Sequence, residues 1–303
     1  MDSLPIISVV VFTYNSSKYI IDTLQSIYRQ TYNNIELIVS DDCSTDNTVD
    51  IVDTWLSEFG GRFVKSKLIK SPFNTGVSEN HNRGVKSSSG EWIKTIAGDD
   101  ILEDNCVSLN FEYVCSTGEL VVFSKMKYFK GTIKNAFIPN VDYSFFKFAS
   151  KEQYNMMLKK NQIPCAPSFF FKRDVIKDVS YYDDRYPMME DYPLWFKLLE
   201  KGYNLSFMDS YTVYYRRENS ITRGDWFVNP VYLDSLESFY REKLFPLYKT
   251  KDLIYKWHMI LYFFTCHVYI NYFHNQITTK SRLFERIIKC FDLYYIRERL
   301  QSK

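Results

Sequence analysis

Over the first hundred residues, short β-branched runs alternate with segments whose apolar positions recur at helical spacing. "IISVVVFT" (6–13) has the pattern of a strand covered on both faces, and "IELIVS" (35–40) reads as a second buried strand. Between them, "SSKYIIDTLQSIYRQ" (16–30) carries Ile20, Leu24 and Ile27 on one helical face, with Ser16 or Ser17 predicted as the N-cap. "DDCSTDNTVDIVDTWL" is a polar loop feeding a helix that Ser44 or Asp46 can cap. "KLIK" (67–70) is a candidate third strand, 74–87 a loop and helix, and "EWIKTIA" (91–97) a fourth strand.

Strands alternating with helices imply right-handed βαβ units, hence an α/β fold with a mainly parallel sheet flanked by helices. Ligands of such sheets sit beyond the carboxyl ends of the strands. Thr13-Tyr14-Asn15, Asp41-Asp42 and Asp99-Asp100 each follow a predicted strand directly, so three polar clusters should converge on one rim. Beyond 118 the pattern is mixed. "ELVVFSKMKYF" reads as a strand, "KEQYNMMLKKN" as a short helix, "PCAPSFFFKRDVI" as a proline-punctuated stretch and "MEDYPLWFKLLEKGY" as a helix start with an acidic pair. From about 229 the chain reads as two or three further helices.

Charge separates this tail from the body. The 303 residues hold 38 basic and 36 acidic side chains, a balance that selects no partner and gives no reason to expect nucleic acid. From 226 onward there are 12 Lys/Arg against 7 Asp/Glu, a net of +5, whereas residues 1–225 carry a net of −3. The tail also holds 19 of the 54 aromatics. We therefore expect a catalytic domain at 1–225 and a C-terminal helical, aromatic and basic region at 226–303. The six cysteines form no C-x-x-C pair, which argues against a zinc site or disulfide scaffold and for a reducing, cytoplasmic setting. "MDSLPIISVVVFTYN" lacks the basic n-region of a signal peptide and reads as a first strand.

In order and spacing, "VVFTYN", "VSDDCSTDNT", "NTGVSENHNRG", "GEWIKTIAGDD" and "MEDYPLWFKLLEKGY" resemble the family-2 glycosyltransferases of the GT-A fold, over about residues 5–223. The resemblance implies an inverting transferase that moves a sugar from a nucleotide-diphosphate donor, UDP-linked, to a hydroxyl of a glycan acceptor. It also implies a divalent cation, Mg²⁺ or Mn²⁺. Such a cation neutralises the charge that builds on the departing diphosphate, and needs only one or two carboxylates from the protein.

Residue by residue, the family's Asp-x-Asp-Asp motif has Ala97 in its first position here. The metal role therefore passes to Asp99, with Asp100 in support. The competing role for this pair is to cap a helix starting near Asp104. Asp41 takes the family role of accepting hydrogen bonds from the nucleotide base, while Asp42, with Ser44 and Thr45, is expected to order the following loop. Thr13, Tyr14 and Asn15 are placed against base and ribose. Asn74, Gly76, Asn82 and Gly84 match the family, and His81 stands where the family often has Arg, so His81 and Asn82 join the nucleotide-binding candidates. Asp191, in the pair Glu190-Asp191, matches the family's catalytic base, with Glu190 in support. Such a base need only reach the acceptor hydroxyl at hydrogen-bond distance. The competing role for this pair is to favour the positive end of a helix. In "YYRRENSIT", Arg217 stands where family members often have a metal-reaching His; Arg cannot ligate a cation but can pair with phosphate.

"WHMILYFFTCHVYINYF" (257–273) is too short and too polar to span a bilayer, which takes about 20 apolar residues. "SRLFERIIKCFDLYYIRERL" sets Phe284, Ile287, Ile288 and Phe291 on one face, with Arg282, Arg286 and Lys289 around it. A basic amphipathic helix of this kind can lie on an anionic membrane surface, here the inner face of the cell membrane; alternatively these helices pack on each other, on the catalytic domain, or on a second copy of the chain. Resemblance to bacterial polysaccharide-assembly enzymes, of the capsule or O-antigen kind, suits a lipid-linked acceptor. Two other classes stay in view: a nucleotidyltransferase, opposed by Glu190-Asp191 and by the lack of a Gly-rich basic loop, and a non-catalytic sugar-binding or assembly protein, suggested by Ala97 and Arg217.

Overall fold

A computed structural model describes residues 4–159, 166–218 and 228–301. By internal contacts the chain forms two compact units, one comprising residues 1–184 and 190–218, the other 185–189 and 219–303. The boundary expected at 225 falls outside the described residues. The short segment 185–189 belongs with the second unit, a return that no local pattern announces.

The first unit is built on an eight-stranded sheet. Its first half follows the expected alternation: β1 (Ile7–Thr13), α1 (Ile20–Tyr28), β2 (Ile35–Asp41), α2 (Thr48–Phe59), β3 (Lys65–Lys70), α3 (Val77–Lys86) and β4 (Trp92–Ala97). Then come β5 (Ile101–Leu102), α4 (Cys106–Thr117), β6 (Val121–Phe129), α5 (Ser150–Met157), β7 (Phe170–Lys172), α6 (Arg173–Asp178), α7 (Asp191–Glu200) and β8 (Ser206–Arg216). Strand order is β3-β2-β1-β4-β7-β6-β8-β5. The β1–β2, β1–β4, β2–β3 and β6–β8 pairs are parallel, and the other three antiparallel.

Register carries the functional consequence. Thr13 lies opposite Asp41, and Phe12 opposite Ala97, so the ends of β1, β2 and β4 emerge together. The runs are fully buried, as both-face coverage requires: every residue of β1 and β2 is buried. Helix α3 lies close against this sheet because residue 84 is glycine; a Cβ there would stand 2.6 Å from Val10 and 2.8 Å from Phe12. On the other half, Trp195 of α7 is fully buried and meets Phe123 at 4.9 Å and Phe169 at 4.5 Å between ring centroids. An anchor of this size, worth ~3–5 kcal/mol by truncation, seats the helix whose first residue is Asp191.

Two expected caps are not formed. Helix α1 starts at Ile20 with Tyr19 in the N-cap position, and α2 at Thr48 with Asn47 there, neither with a side-chain cap bond. The backbone N–H groups of Ser16 and Ser17 donate to Thr48 Oγ1 (2.8 Å) and Asp46 Oδ2 (3.1 Å). Asp46 in turn accepts from the backbone N–H of Thr48 at 3.0 Å, tying the starts of α1 and α2 together.

The second unit contains four helices among the described residues, more than the two or three expected: α8 (Pro230–Phe239), α9 (Leu253–Tyr272), α10 (Thr279–Lys289) and α11 (Leu293–Gln301). Helix α10 has a capping box, with Thr278 Oγ1 accepting from Ser281 N at 3.1 Å and Ser281 Oγ from Thr278 N at 2.8 Å. No described helix is long and apolar enough to cross a membrane. The described cysteines, 43, 106, 115, 266 and 290, are all free.

Candidate active site

The end of β1 and the end of β2 are joined by side chains. Thr13 Oγ1 donates to Asp41 Oδ1 at 2.8 Å, and Ser44 donates to the same carboxylate through its N–H (2.8 Å) and hydroxyl (2.5 Å). Asn15 sits at φ +51°, a left-handed conformation that Asn tolerates, and its Oδ1 accepts from Thr45 N at 2.8 Å. The loop after β2 is therefore ordered through Ser44 and Thr45, as expected, but by their bonds to Asp41 and Asn15 and not by Asp42. Asp42 points the other way, accepting from Thr75 N (3.0 Å), Gly76 N (2.8 Å) and Arg83 Nη2 (3.2 Å) at the entry to α3. Arg83, which the sequence reading passed over, also donates to the Asp41 carbonyl at 3.2 Å and so braces both aspartates. Tyr14 stands 43% exposed at the rim.

Two α3 candidates have duties of their own. Asn82 is buried, its Oδ1 accepting from Tyr182 N at 2.9 Å and its Nδ2 donating to Tyr182 O at 3.0 Å. Both ends of the amide are committed to backbone, so Asn82 positions the segment ahead of Glu190-Asp191. His81 stacks on Phe12 at 3.6 Å and packs near Tyr182 at 4.9 Å, with Nδ1 bonded to Val77 O at 2.8 Å. Burial pushes its pKa down to about 4, so the ring is neutral at pH 7 and brings no positive charge to a diphosphate.

The Asp99-Asp100 pair closes the rim. Gly98 allows the approach, since a Cβ there would lie 2.8 Å from Thr13 Cγ2. Asp100 is 1% exposed; its Oδ1 accepts from Arg216 N at 2.8 Å, while its Oδ2 is buried with no partner among the described residues. Burial and then the neighbouring Asp99 charge push the Asp100 pKa well up, and burial raises that of Asp99. The pair does not cap the next helix: α4 starts at Cys106 with Asn105 in the N-cap position, and Asp104 instead pairs with Arg29 at 3.1 Å.

Of the two arginines Arg216 and Arg217, it is Arg216 that meets this pair. Arg216 Nε donates to Asp99 O at 2.8 Å, Nη1 to Gly131 O at 3.1 Å and Nη2 to Asp22 Oδ2 at 3.0 Å. Its guanidinium lies 4.1 Å from the Tyr19 ring centroid and 4.4 Å from that of Phe129. Arg217 is exposed, its guanidinium over Tyr128 at 5.1 Å. Successive strand residues face opposite sides, so of two adjacent arginines at the end of β8 only one can turn to the aspartates. Tyr215 lies in the same field: burial, then Asp100 and Asp99, push its pKa up to about 12.

Asp191 is the first residue of α7 and Glu190 occupies the N-cap position, with no side-chain cap bond. Burial, then the Glu190 charge, drive the Asp191 pKa well above the usual carboxylate range, and burial raises Glu190. A carboxylate so placed is a stronger proton acceptor than one in water.

As for a metal, the described residues hold no cluster of three or more His, Cys, Asp or Glu able to enclose one. A hard cation that takes one or two carboxylates and completes its shell with phosphate and water does fit. The buried, unpartnered Asp100 Oδ2 beside the part-exposed Asp99 is the kind of donor set it would satisfy.

A half-parallel sheet with acidic pairs at the carboxyl ends of β2 and β4 beside the polar end of β1, and a further carboxylate pair at a helix start, define a GT-A type glycosyltransferase. The chain belongs to glycosyl transferase family 2, whose family model matches residues 8–180. It is 29% identical over 216 residues to the UDP-Glc:alpha-D-GlcNAc-diphosphoundecaprenol beta-1,3-glucosyltransferase WfaP of Escherichia coli, covering 70% of this chain and 78% of that protein. It is 26% identical over 233 residues to the glycosyltransferase GlyG of Streptococcus pneumoniae, covering 73% and 74%. The fold is similar to that of S. aureus TarS 1–349 in complex with UDP-GlcNAc, with a TM-score of 0.63, 20% identity, and coverage of 91% of this chain and 77% of that one. It spans 46% of a longer TarS chain. Divalent-cation dependence is common in this family.

Proposed function

We propose that this glycosyltransferase moves a sugar from a UDP-sugar to a hydroxyl of a lipid-linked glycan acceptor, with inversion at the anomeric carbon, in surface polysaccharide synthesis. The observation that carries the reading is the buried Asp100 Oδ2, left with no partner among the described residues beside Asp99, where β1, β2 and β4 end. When bound there, Mg²⁺ or Mn²⁺ would neutralise the diphosphate leaving group, held by Asp99 and by Asp100 through Oδ2. Arg216 keeps the paired carboxylates in place by holding the Asp99 carbonyl and bonding Asp100. Thr13, Asp41 and Asn15 shape the rim against base and ribose.

Asp191 takes the acceptor's proton. The acceptor oxygen forms its bond to the anomeric carbon as the bond from that carbon to the diphosphate oxygen breaks, and the electron pair leaves with UDP. One carboxylate serves, and no covalent enzyme intermediate is needed. A UDP-linked donor is supported by the UDP-GlcNAc complex of TarS and by the name of WfaP, and a diphosphate-lipid acceptor by the latter.

The test is a panel of nucleotide sugars scored by binding and by nucleotide release, with and without a diphosphate-lipid-linked acceptor. Binding of UDP-sugars, chelator-sensitive UDP release in the presence of acceptor and loss of release in Asp99→Asn are expected. Full turnover by Asp99→Asn in chelator-treated buffer refutes the metal assignment, and binding of nucleotide sugars of another base alone refutes the donor class.

A further inference from the structure

Helices α10 and α11 each have a face committed to α9 and a face that is not. On the committed side, Phe284 packs near Phe273 (5.9 Å) and Phe264 (6.2 Å), and Tyr294 near Tyr255 (5.2 Å). The link between the helices is pinned to α9 by Trp257 Nε1 donating to Phe291 O at 2.9 Å and by His258 bonded to Asp292 at 2.6 Å. The hairpin is therefore fixed in place, and its other face is a formed surface.

That other face is both cationic and apolar. A groove of about 790 Å³ is lined by Arg286, Lys289 and Arg299 together with Tyr295, Ile296 and Leu300. Along its flanks Leu283, Phe291 and Leu300 are 59%, 61% and 71% exposed. Ser281 is the only buried residue of α10, so this helix does not spend its apolar positions on the core. Residues 279–301 carry six basic and three acidic side chains, a net of +3, and Lys289 is shared with Glu285 at 2.6 Å.

We propose that the α10–α11 face docks on the surface of a membrane rich in anionic phospholipid, with the lipid phosphates in the Arg286–Lys289–Arg299 groove and the exposed leucines, isoleucines and aromatics in the headgroup–acyl boundary. Charge complementarity selects this occupant. A partner protein or a second copy that buried these apolar groups would also have to accommodate the net positive charge of the basic residues lining the same groove, which a phosphate-bearing surface complements directly. Docking is peripheral, since no described helix is long and apolar enough to cross the bilayer. The inference stands on the second unit alone and does not depend on the transferase reading.

The test is flotation of the full chain with phosphatidylglycerol-containing vesicles and with pure phosphatidylcholine vesicles, at low and high salt, beside light scattering. Binding to the anionic vesicles that weakens at high salt is expected, with little binding to the neutral ones. Arg286→Gln and Arg299→Gln should each lower the partition coefficient about fivefold, as expected for one charge near an anionic surface. Leu300→Asp should lower it further, with an unchanged helical circular-dichroism signal and thermal unfolding reporting that the variant remains folded. Failure to float at low salt, equal binding to both vesicle types, or unchanged binding in the three variants overturns the proposal. So does a stable dimer in solution that Leu300→Asp dissociates, because the face would then be a subunit interface.

Discussion

Replacing His81 with phenylalanine tests whether the α3 face of the site is held neutral. Phenylalanine can keep the stack on Phe12 and the packing near Tyr182, but it cannot titrate. With a pKa of about 4 in the fold, against 6.5 unfolded, the folded state takes up its proton less readily than the unfolded state. The unfolded chain therefore protonates first on acidification. Stability from this residue is full above pH 6.5 and is lost as the pH falls toward 4. Linkage between those two values gives a loss of about 2 kcal/mol between pH 7 and pH 5. His81 is only half-buried, so about 2 kcal/mol is the ceiling. Urea unfolding of wild type and His81→Phe at both pH values isolates the effect, because every other titrating group cancels in the double difference. The wild type should lose up to about 2 kcal/mol more than the variant. Equal losses in the two proteins would refute the reasoning and return His81 to the set of groups able to carry charge beside a phosphate.

Three further outcomes follow from the site. Asp191→Asn should retain UDP-sugar binding while transfer falls about 10²–10⁴-fold, and product analysis of the wild type should show inversion; a retained anomer would contradict the mechanism. Because burial and Glu190 raise the Asp191 pKa, and only the unprotonated base accepts a proton, transfer in the wild type should fall on acidification through a pKa above the ordinary aspartate range, seen in the pH profile of kcat. Arg216→Gln should destabilise the fold by about 2–4 kcal/mol, discounted for the 57% exposed side chain of its partner Asp22, and should weaken Mn²⁺ binding. Arg217→Gln, by contrast, should stay within about 0.5 kcal/mol in the same denaturation assay.

Much of the first unit is legible from local pattern alone. Runs such as Ile7–Thr13 and Ile35–Asp41 are buried on both faces, and a strand of that kind declares itself by continuous hydrophobicity whatever its neighbours. The polar clusters at their ends follow from chain direction, because parallel strands must all finish on one rim. Asp41, Asp42, Asp99 and Asp100 could thus be singled out before any strand order was known, whereas Asp191 was marked by the resemblance of its motif.

What local pattern could not supply is decided by pairing at long range. Strand β8, whose mixed polar and apolar residues follow no simple period and whose register with β6 shifts, went unread, and with it the side to which Arg216 turns. The duties of Asp41 and Asp42 were likewise settled by which loop each carboxylate meets, residue 44 or residues 75 and 76. Asn82 looked like a ligand-binding residue until its amide proved to be spent on Tyr182, a hundred residues away. The sequence alone determined which residue types stand at the strand ends, because hydrophobic period and chain direction are local properties. Only the tertiary structure decided which donors and cations face them, because a hydrogen-bond partner is set by strand register and helix seating among distant segments.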